Sequence, residues 1–368
     1  MTYKVDSPEA EEFIHHEEIL ETLEYARTNK DNRALIEQLI EKAALCKGLT
    51  HREAAVLLEC DQPDLIEHIF HLAKEIKQKF YGNRIVMFAP LYLSNYCVNG
   101  CLYCPYHAKN KTIARKKLTQ EEIRREVIAL QDMGHKRLAL EAGEHPSLNP
   151  IEYILESIQT IYSIKHKNGA IRRVNVNIAA TTVENYRRLK EAGIGTYILF
   201  QETYHKANYN IYHPRGMKSK FEWRVNGFDR MGQAGVHSIG MGVLIGLEKE
   251  WRTDVTMMAY HLRYLQKHYW KTKYSFNFPR MRPSENGGFQ PNVVMSDREL
   301  AQVTFATRIF DHDVDISYST RESASFRDNM ARLGVTTMSA ESKTEPGGYY
   351  SYPQTLEQFH VSDERTAL

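Results

Sequence analysis

After Cys104 the chain contains no cysteine, and the whole sequence of 368 residues holds only five. So few thiols exclude a disulfide-stapled secreted scaffold. A long apolar run is also missing: nothing approaches the roughly 20 residues that a membrane helix needs. The opening MTYKVDSPEAEEF lacks the apolar core of a signal peptide, so the expected setting is cytoplasmic, with no membrane partner. Nor is one sign of charge in excess. Lys and Arg number 48 against 46 Asp and Glu, the net charge is +2, and the signs are interspersed. Nucleic acid is therefore not an expected partner.

What is present divides near residue 84. Residues 7 to 80 read as helices, with starts expected at SPEAEEF and at Asp61, and with Leu65, Ile66, Ile69, Phe70, Leu72 and Ile76 at helical spacing. Cys46 and Cys60 fall in this part and read as packing residues. From 84 onward eight short apolar runs alternate with amphipathic segments: IVMFAPLYL, RLALEAG, RRVNVNI, YILFQET, SIGMGVLIG, YSFNFPRM, DISYST and TTMSAES. Thr119 and Glu122 form a capping box. Four helical segments end at a glycine, in DMG, EAG, QAG and RLG, where a left-handed cap is expected. Eight strand and helix units over roughly 260 residues match a (β/α)8 barrel. A doubly wound open sheet is the alternative, but no glycine-rich dinucleotide loop follows an early strand. In such a barrel the chemistry lies at the C-terminal strand ends, where EAGE, QETYH, GLEKE, PRMRP, STRE and SAESKT stand.

Three of the five cysteines sit in SNYCVNGCLYCPYH, at 97, 101 and 104, in the loop after the first run. In a reducing compartment such a cluster reads as a metal site. Structural zinc takes four protein ligands, and His107, three residues beyond Cys104, is the fourth candidate. An iron–sulfur cluster held by three thiolates instead leaves one iron open to a small molecule.

CxxxCxφC with Tyr103 at φ resembles the signature of the radical S-adenosylmethionine (SAM) superfamily. The resemblance implies a TIM-type radical SAM barrel with an N-terminal helical extension. Cys97, Cys101 and Cys104 would hold one 4Fe–4S cluster whose open iron chelates SAM, with Tyr103 near the adenine. EAGE resembles the GGE motif, which implies SAM contacts at Gly143 and Glu144; Ala142 departs from the pattern. Gly242 to Gly246 resembles the glycine-containing fifth strand. Gln201 and Glu202 are candidates for the SAM ribose, and Arg224 and Arg280 for anions that suit an arginine fork. Asn175 and Asn177 share one strand face, toward the cavity or the core.

Across residues 84–368, PLYLSN, LFQETYH, QKHYW, FPRMRP, STRE, SKTEPGGY and LEQF resemble the aromatic amino acid lyases of that superfamily. Arg321, at the end of the seventh run, can grip an amino acid carboxylate in a bidentate fork, flanked by Ser319, Glu322, Ser339 and Ser342. Tyr92 resembles a family position beside the reacting amine. The resemblance implies cleavage of the Cα–Cβ bond of L-tyrosine to 2-iminoacetate and p-cresol, started by a 5′-deoxyadenosyl radical. Expected partners are L-tyrosine, an electron donor such as flavodoxin or ferredoxin, and thiazole synthase. Text up to about residue 206 is closer to the hydrogenase-maturation branch and text from about 221 to the thiamin branch, as a chimera would be. The hydrogenase-maturation branch carries a second, C-terminal cysteine cluster, which this chain cannot assemble after Cys104. The expected division is a helical extension over 1–83, the barrel over 84–345, and a trimmed C-terminal segment over 346–368.

Overall fold

The computed structural model describes residues 16–282, 288–351 and 356–366. The helix start expected at SPEAEEF lies outside them. Four N-terminal helices come first: α1 His16–Asn29, α2 Arg33–Ala44, α3 His51–Glu59 and α4 Pro63–Tyr81. In α4, Leu65, Ile69, Ala73 and Ile76 are buried at intervals of three and four, one apolar stripe of an amphipathic helix. The cap is Gln62 with Pro63 in the first turn, one residue beyond the expected Asp61. Proline suits that position because its missing N–H would have no partner there.

Eight strands follow: β1 Val86–Ser94, β2 Arg137–Ala142, β5 Arg173–Asn177, β6 Thr196–Glu202, β7 Ser238–Val243, β8 Lys273–Asn277, β9 Asp315–Tyr318 and β10 Thr337–Ser339. A small antiparallel pair, β3 Lys165–His166 and β4 Gly169–Ala170, stands apart. The eight close into a barrel in chain order, with β10 pairing back onto β1. Closure settles the choice against an open doubly wound sheet. Helices α5 Gln120–Asp132, α6 Ile151–Ser163, α7 Val183–Glu191, α11 Trp251–His268, α12 Asp297–Phe310 and α13 Ala324–Leu333 lie in the connections, together with the short α8 Lys206–Tyr212, α9 Phe221–Val225 and α10 Gly227–Ala234.

The N-terminal helices pack against α11, α12 and α13. Gln302 of α12 donates to the carbonyls of Leu57, Leu58 and Cys60, filling acceptors that the end of α3 leaves open. Thr119 and Glu122 form the expected capping box. Gly134, Gly193 and Gly235 have positive φ after their helices, but Gly334 does not: its φ is −161°. There the need is for space, since a Cβ would meet Thr304 Cγ2 at 2.9 Å. Cys60 is buried and Cys46 packs against the core.

Side-chain alternation along the strands decides which residues meet inside. In β1, Ala89, Leu91 and Leu93 are buried in the main core, whereas Phe88, Pro90 and Tyr92 face a central cavity. The parallel registers slip at Tyr92/Ser94 and at Phe200/Glu202, bulges that turn the strand ends toward the mouth.

Candidate active site

Cys97, Cys101 and Cys104 all line one cavity of about 280 Å³ at the C-terminal strand ends. Their loop is held from behind. Asn95 donates to Ala114 O and accepts from Lys116 N, while the Arg115 guanidinium donates to the carbonyls of Asn95, Tyr106, His107 and Asn110. Burial pushes the three thiols up, Cys101 to about 12, so each would surrender a proton on binding metal. Gly143 lies against this loop: a Cβ there would collide with the Tyr96 carbonyl and sit 3.0 Å from Cys97 Cβ. Its N–H donates to Ser94 O, and its carbonyl accepts from Asn149.

His107 does not line the cavity, which removes the fourth ligand of a zinc site. Among the described residues no three His, Cys, Asp or Glu side chains converge on a single ion position. A multi-iron cluster asks for something else: soft ligands reaching one space from separate points of a loop. Three thiols, one buried and two half-buried, in one cavity that carboxylates and cations also line, fit that donor set and leave room for an amino acid's charged ends.

Most of the expected SAM residues gather in this cavity. Tyr103, Gly143, Glu144, Glu202 and Arg224 line the cavity. His213 donates through Nδ1 to Tyr209 O at 2.7 Å, leaving Nε2 to accept from Tyr103 Oη at 2.8 Å; burial holds that imidazole neutral, down to about 2. Asn99 donates to Glu144 at 2.6 Å and accepts from Lys218 N, and Lys218 Nζ pairs with Glu202 at 2.6 Å. Glu202 holds a φ of +72°, unusual for a non-glycine residue and kept by its bulge and its lysine. Arg224 turns Nε and Nη2 onto Phe200 O.

Two expected SAM residues are elsewhere. Gln201 lies on the other face of β6 from Ile198, Phe200 and Glu202, fully buried, and neither of its amide atoms has a partner among the described residues. Arg280 does not line the cavity. Its guanidinium is occupied by Glu322, by Asp297 at 2.7 Å and by Met295 O.

Tyr92, Ser319, Arg321, Glu322, Ser339 and Ser342 line the same cavity. Glu322 is already paired with Arg280 and Arg282. Arg321 is different: among the described residues no hydrogen bond or ion pair engages its guanidinium, which lies 3.4 Å above the Phe359 ring. Burial depresses its pKa, opposed by Tyr92 and the acids around it. A half-buried cation without a partner is costly, and a planar anion at that point would relieve it.

Several lining residues carry no motif of their own. Glu141 and Asn177 are neighbours in register with Tyr92 across β1, β2 and β5, and both face the cavity, whereas Asn175 accepts from Thr196 N instead. Burial raises Glu141 to about 8 against the pull of Asn177 and Arg321. Such an acid is neutral when folded but ionised when unfolded above about pH 4.5, so it penalises folding increasingly as pH rises to about 8. Glu141→Gln should therefore match the wild type near pH 4.5 and exceed it in denaturant unfolding at pH 8. The expected gain is roughly 1–3 kcal/mol after discounting for solvent in the cavity. A constant difference across that range would disprove it. Lys218, Gln358 and Phe359 also line the cavity. Only the pairing of acids in EAGE and the LEQF stretch offered any trace of Glu141 and Gln358 in the sequence.

Residues 91–258 match the Radical SAM superfamily, and 277–368 the Biotin and Thiamin Synthesis associated domain. The chain is 38% identical over 326 residues to the 2-iminoacetate synthase of Salmonella typhimurium, covering 89% of this chain and 84% of that one. It superposes on a crystal structure of HydG, a maturase of the FeFe-hydrogenase, with a TM-score of 0.91 and 45% identity, covering 96% of this chain and 77% of that one. For HydG from Carboxydothermus hydrogenoformans the TM-score is 0.88 at 36% identity, covering 100% and 82%. Relatives of both kinds cover most of the chain, 89% for the synthase and 96% and 100% for the two HydG structures. Among the described residues no helix is long and apolar enough to cross a membrane. The chain belongs to the radical SAM superfamily, whose members use a 4Fe–4S cluster and SAM, and within it to the tyrosine lyase family of 2-iminoacetate synthase and HydG.

Proposed function

We propose that the chain cleaves the Cα–Cβ bond of L-tyrosine to 2-iminoacetate and p-cresol, acting in the cytoplasm for thiazole synthesis in the thiamin pathway. The observation that carries this is the unpartnered Arg321 guanidinium lining the same cavity as the three thiols. When bound, a 4Fe–4S cluster on Cys97, Cys101 and Cys104, with SAM at its open iron, supplies the 5′-deoxyadenosyl radical. The residues of the chain do the rest by placement. Arg321 forks the substrate carboxylate while Ser319 and Ser339 border it, and Tyr92 stands beside the amine. Tyr103, Glu144, Glu202 and Arg224 surround SAM. Phe88, Pro90, Ile198 and Phe278 keep water from the reacting atoms.

A second reading is favoured by the 45% identity to HydG: the same cleavage, with 2-iminoacetate delivered toward hydrogenase maturation. Anaerobic reconstitution with iron and sulfide, followed by SAM, a reductant from flavodoxin or ferredoxin, and either tyrosine or tryptophan, tests the shared chemistry. Tyrosine should yield p-cresol, 5′-deoxyadenosine and trapped glyoxylate, and tryptophan no indole product. Turnover of tryptophan alone would sink the proposal. Adding thiazole synthase separates the two destinations.

A further inference from the structure

Gln358 comes from the far end of the chain to bridge two residues of the cavity lining, Tyr92 and Cys104. Its Nε2 lies 3.5 Å from Cys104 Sγ, across 254 positions of sequence, and its Oε1 accepts from Tyr92 Oη at 2.8 Å. The amide is held at both ends of its backbone: Gln358 N donates to Thr344 O, Thr344 Oγ1 donates to Phe359 O, and Tyr106 Oη donates to Leu356 O. A cysteine thiolate only accepts, so the –NH2 end of the amide must face sulfur and the carbonyl end must face the phenol. Tyr92 can satisfy that carbonyl only by donating. The tyrosine therefore fixes which way the amide points.

We propose that Gln358 is a positioning residue that tunes the reduction potential of the cluster through an N–H···S hydrogen bond to Cys104, with Tyr92 setting its direction. Gln358 has this role only if the three thiols hold a cluster as proposed above. The reduced cluster carries one more negative charge, so a donor aimed at a ligand sulfur stabilises it and raises the potential. Because Tyr92 also lines the cavity beside Arg321, a substrate that draws its hydroxyl away would be felt at the iron.

A redox titration of the anaerobically reconstituted full chain, followed by electron paramagnetic resonance of the reduced cluster, tests this. Gln358→Leu should lower the reduced-to-oxidised ratio at fixed potential about tenfold, which is about 59 mV for one electron. Tyr92→Phe should shift it the same way by less. An unchanged midpoint in Gln358→Leu with a full iron complement overturns the role. If that variant loses its iron, Tyr92→Phe decides alone: a negative shift supports the role and an unchanged midpoint overturns it. A wild-type chain that takes up no iron and sulfide overturns the functional reading, and this role with it.

Discussion

Replacing Arg321 with alanine is expected to raise the KM for tyrosine roughly a hundredfold, about 3 kcal/mol for the loss of a charge-assisted fork. The free protein should not pay for it in stability. The Arg321 guanidinium has no hydrogen-bond or ion-pair partner among the described residues and only stacks on Phe359, a contact worth about 0.5–2 kcal/mol, while its removal relieves a half-buried charge. The thermal midpoint should therefore stay near wild type, iron content should be unchanged, and SAM cleavage without tyrosine should persist. Arg321→Lys should recover only part of the affinity, because an ammonium cannot match the planar carboxylate at two points. Steady-state formation of p-cresol against tyrosine concentration measures this. A variant with unaltered KM would remove Arg321 from the substrate site, and one that lost its iron would show it to be structural.

Removing any one of Cys97, Cys101 or Cys104 should abolish turnover outright. Each thiol is buried or half-buried against the same cavity, and among the described residues no other cysteine lies there to replace it. Single alanine variants should emerge from reconstitution colourless or with much reduced iron, and produce neither 5′-deoxyadenosine nor p-cresol. Folding should survive, because Asn95 and Arg115 brace the loop through backbone carbonyls and amides, not through sulfur. Cys46→Ala and Cys60→Ala serve as controls and should keep full iron. Full activity in a Cys101→Ala variant would refute the three-thiol site, and tight stoichiometric zinc in the wild type would point to the rejected mononuclear alternative.

Much of this enzyme could be read along one dimension. The CxxxCxφC spacing, the eight apolar runs and the glycines after helices are local patterns, since loops, strands and caps draw their preferences from neighbours within a few residues. Membership of the six-residue wall of Tyr92, Ser319, Arg321, Glu322, Ser339 and Ser342 followed because strand ends of a barrel must converge. What the sequence alone left open was direction and partnership. Gln201 and Glu202 are adjacent, yet a bulge and the pleat turn one toward the cavity and the other behind the sheet. Arg280 looks as available as Arg321 until the closed barrel brings Glu322 beside it. Gln358 reaches Cys104 only because β10 returns to β1 and the segment after it crosses the mouth. The sequence by itself determined which chemistry the chain is equipped for, because ligand spacing and strand period are short-range. Only the tertiary structure decided which charges remain unpaired, because pairing is settled between side chains that meet after closure.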